Sequence, residues 1–316
     1  MTAKFLLMLF LMSLHLPAVS WVGKHEEGYV AFQKGDYAKA LEKWKPLAEN
    51  GHAQAQLSLG TMYDKGQGVA QDYAEAAKWY RKAADQDVGM AQHNLGRMYQ
   101  AGRGVTQDFA EAAKWYLKAA DQGVLEAQEN LAVMYERGQG VPQDPVQAVR
   151  LYRRAAELGN ATAQYSLGVS YENGLGVAPD AVEAAKWFAL AAAQGNPKAQ
   201  YSLGVSYDLG KGLPQNAAEA FKWYRVAVRQ GYAPAQHEVA GLYGSGQGVK
   251  QDLAEAARWY RRAAQQGHVP AQYSLGLMYY NGQGVRQDNV QAHLWFSLAA
   301  EGGEMEAVSQ RDVVTK

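Results

Sequence analysis

Small and apolar residues return along this chain at a fixed interval of 36 residues. The pair Ala55-Gln56 recurs as Ala91-Gln92, Ala127-Gln128, Ala163-Gln164, Ala199-Gln200, Ala235-Gln236 and Ala271-Gln272, with no insertion or deletion. Tyr63 recurs in register through Tyr279, and Gly66 and Gly68 recur through Gly282 and Gly284. Trp79 returns as Trp115, Trp187, Trp223, Trp259 and Trp295, with Leu151 the one exception. Self-similarity at a period of roughly 20–50 residues marks stacked supersecondary units, none of which can bury its apolar face alone. Seven complete repeats run from His52 to Gly303, at 52–87, 88–123, 124–159, 160–195, 196–231, 232–267 and 268–303.

Each repeat reads as two helices. The first spans Ala53 to Lys65, with Ala55, Leu59, Gly60, Met62 and Tyr63 at the three-to-four spacing of a buried stripe. It stops at Gly66, where a helix end favours a residue that tolerates positive φ. After the loop Gly66–Gln71, Asp72 is placed to cap the second helix, and Glu75 three residues on suggests a reciprocal capping box. The same pairing recurs as Asp108 with Glu111, Asp144 with Gln147, Asp180 with Glu183, Asn216 with Glu219, Asp252 with Glu255 and Asp288 with Gln291. The second helix is expected to bury Ala76, Trp79, Tyr80, Ala83 and Ala84 and to end at a glycine, replaced once by Asp87. Mid-helix Gly60 has the equivalents Gly96, Ala132, Gly168, Gly204, Ala240 and Gly276. Only the two smallest residues appear there, although glycine costs about 1 kcal/mol against alanine in a helix. The sequence therefore predicts a close approach of two helix backbones, flanked by the Trp79-type side chains.

The ends depart from the pattern. Gly28, Tyr29, Ala31 and Phe32 sketch a short helix, and Gly35-Asp36-Tyr37 leads into a second with Ala40, Trp44, Leu47 and Ala48, an N-terminal capping hairpin over 21–51. Beyond Gly303, residues 304–316 allow one polar closing helix and tail, with Arg311 and Asp312 where the repeat has leucine and glycine. At the start, Lys4 precedes an apolar run from Phe5 to Leu16, then Pro17, Ala18 and Ser20. Such a run spans about 18 Å as a helix, short of a hydrocarbon core of about 30 Å. Residues 1–20 thus fit a secretory signal peptide cleaved before Trp21, the alternative being an uncleaved anchor extending through Val22. An exported, periplasmic or secreted chain is expected, with no stable membrane insertion once the signal is removed.

Composition narrows the chemistry. With 31 basic and 31 acidic side chains, no global charge draws the chain to nucleic acid or an anionic surface. The absence of cysteine excludes disulfides, thiolate metal sites and a cysteine nucleophile.

The pattern A-x-x-x-L-G-x-x-Y, G-x-G-V, D-x-x-x-A-x-x-W-Y-x-x-A-A-x-x-G stands here as Ala55, Leu59, Gly60, Tyr63, Gly66, Gly68, Val69, Asp72, Ala76, Trp79, Tyr80, Ala83 and Ala84. It resembles the Sel-one-like repeat family, relatives of tetratricopeptide repeats. The resemblance covers essentially the whole chain after the leader. It implies an all-α fold, a right-handed α-solenoid of stacked helix-turn-helix repeats, acting as an adaptor or binding scaffold. Exported bacterial members resemble envelope regulators or host-contact proteins. Some cysteine-rich relatives carry a β-lactamase or penicillin-binding label, which a chain without cysteine does not inherit.

No motif points to an enzyme. Gly66-Gln67-Gly68-Val69 lacks the ending of a phosphate loop, and its seven copies fit turn geometry. His237-Glu238 opens like a zinc-protease motif, but Gly241 stands where the second histidine belongs. No cofactor and no metal are expected. The variable positions are more informative. Positions 57, 61 and 64 share one face of the first helix, and tetratricopeptide-like stacking would set that face on the concave side. The candidate partner-binding residues are His93, Arg97, Glu129, Glu136, Tyr165, Glu172, Tyr201, Asp208, His237, Tyr273 and Tyr280. Repeats four and five present Tyr165-Val169-Glu172 and Tyr201-Val205-Asp208, and repeat seven presents Tyr273-Leu277-Tyr280. Tyrosine offers large contact area and a hydroxyl at low entropic cost. Two readings of these tyrosines follow: a groove for a basic and apolar peptide or protein segment, or packing between adjacent repeats. The leading function is a non-enzymatic interaction scaffold. The alternatives are an envelope hydrolase acting on cell-wall or β-lactam substrates and a structural spacer.

Overall fold

The computed structural model describes residues 16–314. Among them are seventeen helices and no strand. The capping pair is α1 (Leu16–Gln33) and α2 (Tyr37–Glu49). The repeats follow as α3 (Ala53–Lys65) and α4 (Tyr73–Ala84), α5 (Gly89–Ala101) and α6 (Phe109–Asp121), α7 (Leu125–Arg137) and α8 (Pro145–Glu157), α9 (Ala161–Asn173) and α10 (Ala181–Ala193). Then come α11 (Pro197–Leu209) and α12 (Ala217–Val228), α13 (Ala233–Ser245) and α14 (Leu253–Gln265), α15 (Val269–Asn281) and α16 (Asn289–Glu301), and finally α17 (Met305–Val314). The chain forms two compact blocks, through Leu151 and from Tyr152, the boundary falling inside α8. Within each block the helices pack in sequence order as stacked hairpins of a repeat solenoid. Most of the expected leader lies outside the described residues; α1 is longer than the sequence suggests and runs across the Ser20–Trp21 bond.

The first helices all end as their glycines dictate. Gly66, Gly102, Gly138, Gly174, Gly210, Gly246 and Gly282 take left-handed φ values between 65° and 75°. The second loop glycine has an additional task. A Cβ on Gly104 would lie 2.0 Å from the Tyr73 carbonyl oxygen, and one on Gly212 2.0 Å from that of Ala181. Each loop therefore rests directly on the opening turn of the preceding repeat's second helix, an approach only glycine allows. Asp87, in place of a terminal glycine, does adopt positive φ, at 60°.

The N-caps form, but the reciprocal half of the box does not. The Asp72 carboxylate accepts the backbone N–H groups of Ala74 and Glu75 at 2.8 and 3.0 Å. Its own N–H already donates to the Tyr63 carbonyl at 3.0 Å, which leaves the Glu75 side chain nothing to bond there. Glu75 pairs with Lys78 instead, and the same exposed i,i+3 pair recurs at Glu111–Lys114, Glu183–Lys186, Glu219–Lys222 and Glu255–Arg258. Such exposed pairs are screened by solvent and contribute little to stability.

The Gly60 column also works differently from the expectation. A Cβ at Gly60, Gly168 or Gly204 would sit 2.6, 2.6 or 2.5 Å from the ring of Tyr80, Phe188 or Tyr224 on the paired helix. The small residue accommodates an aromatic ring first and the paired backbone second: a Cβ at Gly96 or Gly168 would also lie 3.3 or 3.2 Å from the carbonyl oxygen of Ala112 or Ala184. The Trp79 column is mostly half-buried, and Trp79 and Trp115 pack against the core of the preceding unit. The capping hairpin repeats the device with Gly28 under the Trp44 indole.

A polar ladder runs through the same core. Gln56 is 4% exposed, and its Nε2 donates to the Ala48 carbonyl at 3.1 Å. Its Oε1 accepts from Gln86 Nε2 at 2.8 Å. Gln122–Gln92, Gln194–Gln164, Gln230–Gln200 and Gln266–Gln236 repeat that contact at 2.7–3.0 Å. Position 86 is leucine in repeat three (Leu158) and glycine in repeat seven (Gly302). In those two repeats the buried Oε1 atoms of Gln128 and Gln272 have no partner. At the C-terminal end, Asp312 occupies the ring-bearing glycine column and pairs with Arg311 at 3.0 Å, which makes the last helix unsuited to receive another ring.

Candidate functional site

Of the four candidates in the N-terminal block, His93 alone lies in the core. His93 is 6% exposed: its ring packs 5.8 Å from Tyr116 and its Nε2 meets Asn130 Nδ2 of the next repeat at 3.2 Å. It is therefore a core residue, because the first-helix position at 57 faces both its own second helix and the following repeat. Burial, then the charge of Arg97, lowers its pKa. Arg97 and Glu136 are exposed, and Glu129 is half-buried.

In the C-terminal block the same position carries larger rings. Tyr165, Tyr201 and Tyr273 are each half-buried, with ring centroids 5.9, 5.7 and 5.8 Å from Phe188, Tyr224 and Phe296. Tyr201 also meets Tyr232, the N-cap of α13, edge-on at 5.6 Å. His237 lies 5.2 Å from both Tyr260 and His268, the N-cap of α15. Each ring is held against the second helix of its own repeat, and the side chain retains partial exposure. Tyr280 is half-buried and packs on the Phe296 cluster beside Tyr273, apart from the strip around Tyr201.

Glu238 joins this group, and the sequence reading missed it. Its column holds Ser58, Asn94, Asn130, Ser166, Ser202 and Ser274, so the single acid among small polar residues was the available signal. Burial raises the Glu238 pKa, the Asp208 charge raises it further, and the Tyr201 hydroxyl partly offsets both by hydrogen bonding. Burial also raises Asp208, while a hydrogen bond with Tyr224 opposes that shift. The Tyr201 phenol is pushed up to about 12 by burial, then by Glu238 and by smaller contributions including Glu172. Tyr165 is raised by burial first, with Tyr232 and Glu172 adding to it. His237 is lowered to about 4 by burial and the charge of His268. Glu172, Asp208 and Glu238 form no ion pair among the described residues. The arrangement is an aromatic and acidic strip in which Asp208 and Glu238 are half-buried, Glu172 is exposed, and Lys211 lines a cavity with Glu172 without pairing to it. Among the described residues, no group of three His, Asp or Glu is placed to hold a metal, and no helix is long and apolar enough to cross a membrane.

Comparison with known proteins places this geometry. The Sel1 repeat matches residues 53–88, 89–124, 125–160, 161–196, 197–232, 233–268 and 269–304. A protective antigen of uropathogenic Escherichia coli with an SLR fold is 34% identical, over 96% of this chain and 67% of that one, with a TM-score of 0.86. A Sel1 repeat protein of Oxalobacter formigenes is 34% identical, over 96% of this chain and 91% of that one, with a TM-score of 0.71. No curated protein matches the sequence. Seven matched repeats and two such structural relatives establish that the chain belongs to the Sel1 repeat family.

Proposed function

We propose that this protein is a non-enzymatic scaffold that holds a peptide or protein segment, carrying basic and apolar residues, against the first-helix face of its C-terminal block. Sel1 repeats mediate protein–protein interaction in general. The finer reading rests on one observation: Glu172, Asp208 and Glu238 stand among Tyr165, Tyr201, Tyr224 and Tyr232 with no cation paired to them. Asp208 and Glu238 are half-buried and the Asp208 charge raises the Glu238 pKa, so an incoming cation stabilises both carboxylates. An arginine or lysine side chain supplies that charge and gains cation–π attraction of about 0.5–2 kcal/mol over a tyrosine face. The rings are already fixed by packing, so binding them costs little further ordering. The apolar leader-like run and the likeness to a protective antigen support an exported location, in the periplasm or outside the cell.

The test uses the peptide acetyl-Arg-Phe-Arg-Leu-Arg-amide and calorimetric titration. In the triple variant Glu172→Gln, Asp208→Asn, Glu238→Gln, affinity falls at least about tenfold, as expected when close charge pairs are lost. The melting temperature does not drop, because burial disfavours the Asp208 and Glu238 charges. Undiminished affinity in the variant contradicts the proposal.

A further inference from the structure

The junction between repeats four and five lacks two side chains that the first three repeats receive at theirs. The column of Met62 holds Met98, Met134, Leu242 and Met278, but serine at Ser170 and Ser206. The first residue of the preceding second helix is Tyr37, Tyr73, Phe109, Pro145, Ala181, Ala217 and Leu253 before repeats one to seven, and only before repeat five does an alanine there coincide with serine in the methionine column. In the N-terminal block these two columns meet: a Cβ on Gly68 would touch both Tyr37 and Met62, and Tyr73 and Phe109 pack on the cores that contain Met98 and Met134. At the fourth junction both members are truncated at once, to Ala181 and Ser206. The Ser206 hydroxyl turns back to its own helix, donating to the Ser202 carbonyl at 3.0 Å, and does not fill the space.

What remains is a cavity of about 280 Å³ lined by Glu172, Ala181, Ala184, Phe188, Ser206 and Lys211. An apolar cavity of about 150 Å³ accommodates benzene, so one large side chain fits here. The walls from Ala181, Ala184 and Phe188 are apolar, while Glu172 and Lys211 add charge. Glu172 is shared with the strip described above, where its charge raises the pKa values of both Tyr165 and Tyr201.

We propose that this cavity is the anchor subsite for the bound segment and takes a bulky apolar side chain, aromatic or methionine, next to a basic residue. The guest replaces the ring and thioether that the chain itself inserts at its earlier junctions. Its basic neighbour reaches Glu172 and the tyrosines beyond. This inference rests on the interaction reading above, and deepens it by naming where the segment is held and by which side chain.

The experiment is an NMR titration of the full chain, with labelled alanine methyl groups, using acetyl-Arg-Phe-amide as the probe. The expected result is saturable shifts at the Ala181 and Ala184 methyls. Ser206→Met and, separately, Ala181→Tyr restore residues from other repeats. Each is expected to weaken the probe at least about tenfold, as removal of a central anchor pocket does. The melting temperature should hold or rise, because a void has been filled. Two results overturn the inference: Ala181 and Ala184 methyls that stay unmoved in the unmodified protein, or a folded Ser206→Met variant that binds the probe as well as the parent. If the dipeptide fails while the longer basic peptide still binds and still loses affinity in the carboxylate triple variant, the anchor alone is wrong. If neither binds, both readings fall.

Discussion

A methyl group on Gly204 would lie 2.5 Å from the Tyr224 ring, whereas one on Gly241 would meet nothing nearer than the Tyr260 hydroxyl at 3.6 Å. Both glycines are inside helices, so helix propensity alone favours alanine at either site by about 1 kcal/mol. Packing reverses the sign at Gly204. Gly204→Ala is expected to destabilise by about 1–3 kcal/mol through overpacking, and Gly241→Ala to stabilise by about 0.5–1 kcal/mol. Urea unfolding of the two variants beside the parent checks this. Equal effects at both sites would show that the ring contact does not determine the column. The same residue-level logic explains the candidate strip, since a tyrosine at position 57 is held by a ring beneath it and is presented in one orientation.

At the level of the helix and its caps, the chain is readable where one residue has one physical consequence. Gly66 ends a helix because it accepts positive φ, and Asp72 starts one because its carboxylate satisfies free N–H groups. Contacts that depend on a partner elsewhere were not readable. The capping box was expected from spacing, but Tyr63 had already taken the Asp72 N–H. The ring on Gly60 belongs to Tyr80 and not to Trp79, because adjacent helix residues differ in direction by about 100° and only the paired helix decides which one points inward. The buried Gln56–Gln86 bond spans both helices of a repeat and left only a repeated dipeptide as its trace. Repeat seven offers a test of that ladder. The Oε1 of its Gln272 lacks a partner, and Gly302 has an ordinary φ of −76°, although a Cβ there would meet Val269. Repeat four has Ala161 at the Val269 position and forms the bond between Gln194 and Gln164 at 2.7 Å. The double variant Val269→Ala, Gly302→Gln is therefore expected to be about 1 kcal/mol more stable than Val269→Ala alone, measured by chemical denaturation. No gain would mean that the unpaired Oε1 is already satisfied by solvent.

For the molecule as a whole, equal numbers of basic and acidic residues conceal a local imbalance. The repeated Glu–Lys pairs on the second helices neutralise one another, whereas the acids near Tyr201 have no such partner. Architecture was legible in the sequence because seven copies average out local exceptions. The site was only partly legible, because it is built from those exceptions: Glu238 in a column of serine and asparagine, Ser206 in a column of methionine, Ala181 in a column that begins with tyrosine. The central claim is that a segment with basic and apolar residues binds through this local charge. Titrating the protein with acetyl-Arg-Phe-Arg-Leu-Arg-amide and with acetyl-Glu-Phe-Glu-Leu-Glu-amide, at low and at high salt, tests it most directly. The account predicts that the basic peptide binds, loses affinity as salt rises, and exceeds the acidic peptide by at least about tenfold; equal affinity for the two peptides would contradict it.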